Sequence, residues 1–141
     1  MKYMIMMYGS QREYDMLVGR DTGTPAWSPE DLAALHEFMT KWNEELVASG
    51  EFVEARGLDA PAHTRRVQLR DGAPVVTDGP YPETQEVLAG YTIVDCADFD
   101  RATEIAARLA DTPHPEGAVL DHDWYVDIRP IAGPPEADAD L

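Results

Sequence analysis

The chain has 141 residues, 44% of them hydrophobic, with 11 basic and 27 acidic side chains and a formal net charge of −16. This length suits one domain with one ordinary core, because two half-size domains would each bury too little surface. The acidic balance disfavours phosphate-backbone binding, no apolar run reaches the roughly 20 residues of a membrane span, and the single cysteine, Cys96, excludes an internal disulfide framework or a paired-cysteine metal or redox motif. No nucleic-acid or membrane partner is therefore expected. The opening residues lack a signal-peptide pattern, which makes the cytoplasm the expected location.

Residues 2–8 read as a first strand. Tyr3, Ile5 and Met7 alternate with Met4, Met6 and Tyr8, so both faces are apolar and the strand is predicted to be central. Residues 9–27, with Gly9, Gly19, Gly23 and Pro25, form a long connection. A short helical turn within Gln11–Val18 would shorten it, and the sequence leaves both readings open. Ser28-Pro29-Glu30-Asp31 is a helix start: Ser28 can accept from the first free amides, Pro29 suits the first helical position, and Asp31 completes a capping box. Leu32, Leu35, Met39, Trp42 and Leu46 then recur at helical spacing, and Gly50 closes a helix over 28–49.

Phe52–Leu58 reads as the next strand. Arg65–Arg70 and Pro74–Thr77 flank Asp71-Gly72, the two-residue signal of a tight hairpin. Glu86–Asp95 is a further strand, Asp98–Ala110 a second helix with Ala102, Ile105, Ala106 and Leu109 on one face, and Trp124–Arg129 an alternating last strand. The segment from Ile131, rich in Pro, Ala and Asp, reads as a tail lacking fixed structure. The expected domain is thus 1–130, with 131–141 outside it. Two long helices among antiparallel strands suggest an α+β ferredoxin-like sandwich with a hairpin inserted after the second strand. A doubly wound dinucleotide fold fits poorly, since Gly9 stands alone after strand one.

Thr77-Asp78-Gly79-Pro80-Tyr81-Pro82-Glu83-Thr84-Gln85-Glu86-Val87-Leu88-Ala89-Gly90-Tyr91 is the most unusual segment. Asp78-Gly79-Pro80 is turn chemistry, and three carboxylates, Asp78, Glu83 and Glu86, gather around Tyr81 and Thr84. The segment resembles the signature of the DGPF subgroup of the YCII-related family: Asp-Gly-Pro-aromatic, then x-Glu-Thr-Lys/Gln-Glu, then Leu-x-Gly-aromatic. The opening Lys2-Tyr3-Met4 strand, the capped long helix, the Arg70-Asp71-Gly72 hairpin and Asp127-Ile128-Arg129-Pro130 match the same layout over residues 1–130. Tyr81 stands where the family's name has Phe, and Gln85 where Lys is common.

The resemblance implies a dimeric α/β-barrel assembly of ferredoxin-like subunits, hence a homodimer with clefts near the helices. It also implies two function classes. One is a small-molecule binder or enzyme, since one branch of the family acts on chlorinated hydroxyquinols. The other is a regulatory or interaction protein, since some genes of the subgroup lie beside extracytoplasmic-function sigma factors. The enzyme branch carries a His and a downstream Asp on its first long helix. Here His36 lies on the corresponding helix, but the downstream position is Ala48, so that dyad is incomplete.

His36 sits at the edge of the apolar stripe, either as a satisfied edge histidine or as a proton-transfer residue with Asp78 or Glu83 as its carboxylate partner. Tyr81, Thr84 and Glu86 are the candidate ligand contacts. Asp121-His122-Asp123 invites a metal reading, but neighbouring strand residues face opposite ways, so no metal site is expected. His63 and His114 stand beside prolines in turn contexts. With no phosphate loop, nucleophile elbow or zinc spacing, no cofactor is expected either.

Overall fold

The computed structural model describes residues 1–20, 26–116 and 123–133. Strand β1 (Lys2–Gly9) lies inside a four-stranded antiparallel sheet, with β5 (Val87–Asp95) on one side and β6 (Asp127–Pro130) on the other. Strand β2 (Phe52–Gly57) pairs with the far side of β5, giving the order β2-β5-β1-β6. Helix α2 (Pro29–Ala48) connects β1 to β2, and helix α3 (Phe99–Ala107) connects β5 to β6. The two β-α-β units interleave, because β5 lies between β1 and β2 while β1 lies between β5 and β6. The chain is therefore α+β, and β1 takes the central place its two apolar faces predict.

Alternation along β1 decides which face holds the core. Tyr3 and Ile5 are buried with Val94 of β5, against Trp42 and Leu46 of α2 and Ala102, Ile105 and Ala106 of α3. Both long helices thus cover one face of the sheet. The Trp42 indole N–H donates to the Ile105 carbonyl at 3.1 Å, so the largest core ring also joins the helices. Met4, Met6, Tyr91 and Ile93 alternate to the other face and stay half-buried.

Local chemistry sets the ends of these elements. Ser28 Oγ accepts from the Asp31 amide at 3.1 Å and the Ser28 amide donates to Asp31 Oδ2 at 3.0 Å, a complete capping box. The connection after β1 contains helix α1 (Gln11–Leu17), with Ser10 accepting from the Glu13 amide. Tyr14 pins α1 by donating to the Leu58 carbonyl at 2.9 Å. Strands β3 (Arg65–Arg70) and β4 (Ala73–Asp78) form a separate hairpin, turning at Asp71 (φ 52°) and Gly72 (φ 79°). Two successive positive φ values are what a two-residue turn needs to match strand twist.

Three expectations shift in detail. The last strand pairs only from Asp127, not from Trp124. Its ladder with β1 ends at Met6↔Asp127, just before the β1–β5 register shifts across Ala89 of β5, and Trp124–Val126 lie outside the sheet. The second helix becomes a 3₁₀ turn over Arg108–Asp111. Leu32 is 39% exposed, so the apolar stripe of α2 does not enter the core along its whole length. At the far end, the Ile131 amide donates to the Lys2 carbonyl, which continues the ladder one residue past β6. Residues 134–141, most of the expected tail, lie outside the described residues. No helix among the described residues is long and apolar enough to cross a membrane.

Candidate functional site

The stripe of α2 divides between two environments. Trp42 and Leu46 fill the core, whereas Leu35 and Met39 face a cavity of about 410 Å³. The cavity lies where the sheet ladder has opened. Met7 and Tyr8 come from the C-terminal end of β1, Glu13, Met16 and Leu17 from α1, and Trp27 from the approach to α2. Glu86 enters just before β5, Leu109, Thr112 and His114 follow α3, and Trp124, Tyr125 and Val126 precede β6.

Its polar groups are few and organised. Tyr125 donates its hydroxyl to Glu86 Oε2 at 3.3 Å, and Tyr8 donates to Asp127 Oδ2 at 2.8 Å. The two phenol rings stack, with centroids 5.3 Å apart and planes 27° from parallel. Partial burial, then the hydrogen bond to Asp127, pushes the Tyr8 phenol above its ordinary value. Partial burial, then the Glu86 charge, does the same for Tyr125. Both phenols therefore stay protonated at neutral pH and act as donors. Ser10 Oγ lies 3.4 Å from Glu13 Oε1. His114 stands exposed at the rim, with Nδ1 3.1 Å from the Pro115 carbonyl; in the tautomer that donates there, Nε2 can accept a proton.

The motif divides in two. Asp78 forms a bidentate pair with Arg65 at 2.7 and 3.3 Å across the base of the hairpin, and Arg66 lies over the Tyr81 ring at 5.1 Å. Glu83 and Thr84 are exposed, and Glu83 meets α1 through its backbone carbonyl, which accepts from the Arg12 amide. Glu86 alone of the sequence-derived candidates lines the cavity. His36 is exposed on α2, one residue from the cavity-lining Leu35, and among the described residues it makes no hydrogen bond or ion pair with Asp78 or Glu83. Asp121 and His122 lie outside the described residues; among those described, no three His, Cys, Asp or Glu side chains group to hold a metal ion.

Sequence reasoning missed Tyr8, Glu13, His114 and Tyr125. Tyr8 reads simply as one more apolar strand residue, and His114 is masked by Pro113 and Pro115. A second, shallower depression, lined by Thr40, Asn43, Val47 and Phe52, lies along the edge where α2 meets β2. Its polar side chains are Thr40, Asn43 and Glu44, and the Asn43 amide nitrogen already donates to the Met39 carbonyl.

Comparison with known proteins gives the same family as the motif. The chain is similar to the uncharacterized protein R00369 of Rhizobium meliloti (strain 1021), 27% identical over 109 residues that cover 77% of this chain and 82% of that one. Residues 1–119, from β1 past α3, match the YCII-related domain, and the chain belongs to the YCII-related family.

Proposed function

We propose that the protein binds a small organic molecule in the cavity between the first half of α2, α1 and the segment before β6. The observation that carries this reading is the seating of Glu86, the one motif residue in the cavity, against Tyr125 in an otherwise mainly apolar wall. A cavity of about 410 Å³ with a few convergent polar groups has the size and make-up of a small-molecule site. Glu86 is then the acceptor that orients the ligand, Tyr125 holds that carboxylate in place, and His114 is the rim group able to exchange a proton. The pairing of His36 with Asp78 or Glu83 has no contact in its favour.

The proposed assembly is a homodimer of ferredoxin-like subunits, joined through the sheet face that bears Met4, Met6, Tyr91 and Ile93. A second reading, an interaction protein that docks a partner such as a sigma factor, draws on a different observation. Val67, Leu69 and Val76 are 65%, 77% and 55% exposed on one face of the hairpin.

A ligand screen followed by intrinsic tryptophan fluorescence separates the two, since Trp27 and Trp124 line the cavity. Hits should change the emission and should be lost in Leu35→Trp, which fills the cavity. Hits that bind Leu35→Trp unchanged, or that are lost only when Val67 and Leu69 become Ser, would favour the hairpin and overturn the cavity reading.

A further inference from the structure

We propose that the outer edge of β3 takes up an extended, acidic segment of a partner protein as a third strand of the hairpin. The inference develops the second reading, of the hairpin as a docking element, and does not depend on the cavity.

Hydrogen-bond phase is the first ground. In an antiparallel pair, residues alternate between those that bond across the ladder and those whose amide and carbonyl point away from it. The Gly79 amide donates to the Thr64 carbonyl at 2.7 Å, which makes Thr64 an inward-bonding position. Counting by twos along β3, Arg66, Gln68 and Arg70 bond toward β4, in keeping with the two-residue turn that follows Arg70. Arg65, Val67 and Leu69 therefore turn their N–H and C=O groups outward. Among the described residues no strand pairs with this edge, since β3 and β4 form a two-stranded sheet of their own. On β4 the outward position opposite Leu69 is Pro74, which has no N–H, so of the two edges only that of β3 is unbroken. Pro and Lys commonly blunt such an edge, and β3 carries neither.

Side chains are the second ground, and they name the partner. Three of the chain's 11 basic side chains fall within β3, in a molecule whose net charge is −16. Exposed Val67 and Leu69 stand on one face of the strand, Arg66 and Arg70 on the other. A strand laid along this edge alternates its own side chains between the same two faces. Apolar residues at every second position, with Asp or Glu between them, suit both. Main-chain bonds then supply affinity and the alternate side chains supply selectivity. The acidic remainder of the surface opposes this only weakly, because salt screens exposed charges beyond about 8 Å under physiological conditions. A second copy pairing through the same edge would instead bring the arginines of β3 against their own counterparts, a like-charge arrangement.

Blocked hexapeptides titrated calorimetrically into the full chain test the proposal. Glu-Val-Glu-Val-Glu-Val should bind about tenfold more tightly than Lys-Val-Lys-Val-Lys-Val, and added salt should weaken it. N-methylation of its three Glu or of its three Val residues should abolish binding in one case and spare it in the other, since only one set of amides faces β3. Arg70→Glu should remove the preference for the acidic peptide, and Leu35→Trp, which fills the cavity, should leave binding unchanged. Equal binding of the two charge types, equal effects of the two methylation patterns, or no binding at all would overturn the proposal. Loss of binding in Leu35→Trp would also overturn it, by placing the peptide in the cavity. Release of monomers by Val67→Ser with Leu69→Ser would make a second copy the occupant and overturn the acidic partner. None of these results bears on the cavity reading, which its own ligand screen decides.

Discussion

Gly79 adopts φ +55°, its amide donates to the Thr64 carbonyl at 2.7 Å, and a Cβ built on it would stand 3.2 Å from the Ala62 carbonyl oxygen. Backbone conformation and steric approach both favour glycine, so the Asp78-Gly79-Pro80 run ties the hairpin base to the 3₁₀ turn at Pro61–His63. Gly79→Ala should lower stability by about 1–2 kcal/mol, a fall of roughly 3–8 °C in Tm, and Gly79→Val by more. An unchanged Tm in thermal denaturation would show that the turn relaxes freely. Tyr125 gives a contrasting expectation. At 43% exposed, its hydroxyl contributes little to folding, so Tyr125→Phe should change stability by less than about 0.5 kcal/mol. It removes one donor from Glu86, however, and ligand affinity measured by fluorescence titration should fall several-fold. Equal affinity would remove Tyr125 from the site.

Between elements, the most organised polar contact lies away from the cavity, where β2 meets α3. Arg101 of α3 donates from Nε and a terminal nitrogen to the two Glu51 oxygens at 2.9 and 2.8 Å, and Ser49 adds a third bond at 2.8 Å. The hydrogen bonds from Arg101 outweigh the burial of the carboxylate and hold Glu51 at about 2, against an ordinary value of 4.5. A depressed carboxylate stabilises the fold above its unfolded value and loses that contribution as pH falls through the folded value. The pair should therefore contribute fully above pH 4.5 and fade between about 4.5 and 2. Glu51→Gln should destabilise by about 1–3 kcal/mol at neutral pH, discounted for the part-exposed arginine, and flatten the acid limb of the stability curve. Denaturant melts of both proteins across that window check the sign; parallel acid limbs would place the pH dependence elsewhere.

The same scale shows what the sequence could disclose. The α2 capping box and the Asp71-Gly72 turn are local chemistry, complete within four residues, and both are legible before any fold is known. The central place of β1 follows equally from Met4 and Met6 on one face and Tyr3 and Ile5 on the other. The cavity is not local. Its walls draw on Tyr8, Glu13, Leu35, Glu86, His114 and Tyr125, which meet where the β1–β6 ladder has stopped at Met6↔Asp127 and the β1–β5 register shifts. Leu35 and Leu46 share one helical periodicity, and nothing in that spacing says that one faces a cavity and the other the core. The motif misleads for a similar reason: it spans a turn, so Asp78 is committed to Arg65 while Glu86 reaches the cavity.

At the scale of the whole molecule, the asymmetry of the sheet is the dominant fact. Helices α2 and α3 cover the face carrying Tyr3, Ile5 and Val94, while the other face presents Met4, Met6, Tyr91 and Ile93 half-buried on the two central strands. This second face is not uniformly apolar. Tyr91 donates to Glu54 Oε2 at 3.4 Å, and Arg56 of β2 is paired opposite Tyr91. A methionine-centred patch with a polar border is the make-up of a self-association surface, and a two-fold pair of sheets would cover both copies at once. A stable pair needs about 800 Å² buried on each subunit, which a four-stranded sheet face can supply. Light scattering at micromolar concentration should therefore give twice the mass of one chain. Met6→Lys places a charge at the centre of that face and should shift the mass toward the monomer while leaving the helix-covered core intact by circular dichroism. The hairpin provides the control, since Val67→Ser and Leu69→Ser alter exposed positions away from the sheet face. If the hairpin variants release monomers and Met6→Lys does not, the subunits join through β3 and β4 instead; a monomer mass for the unaltered chain would dismiss the dimer itself.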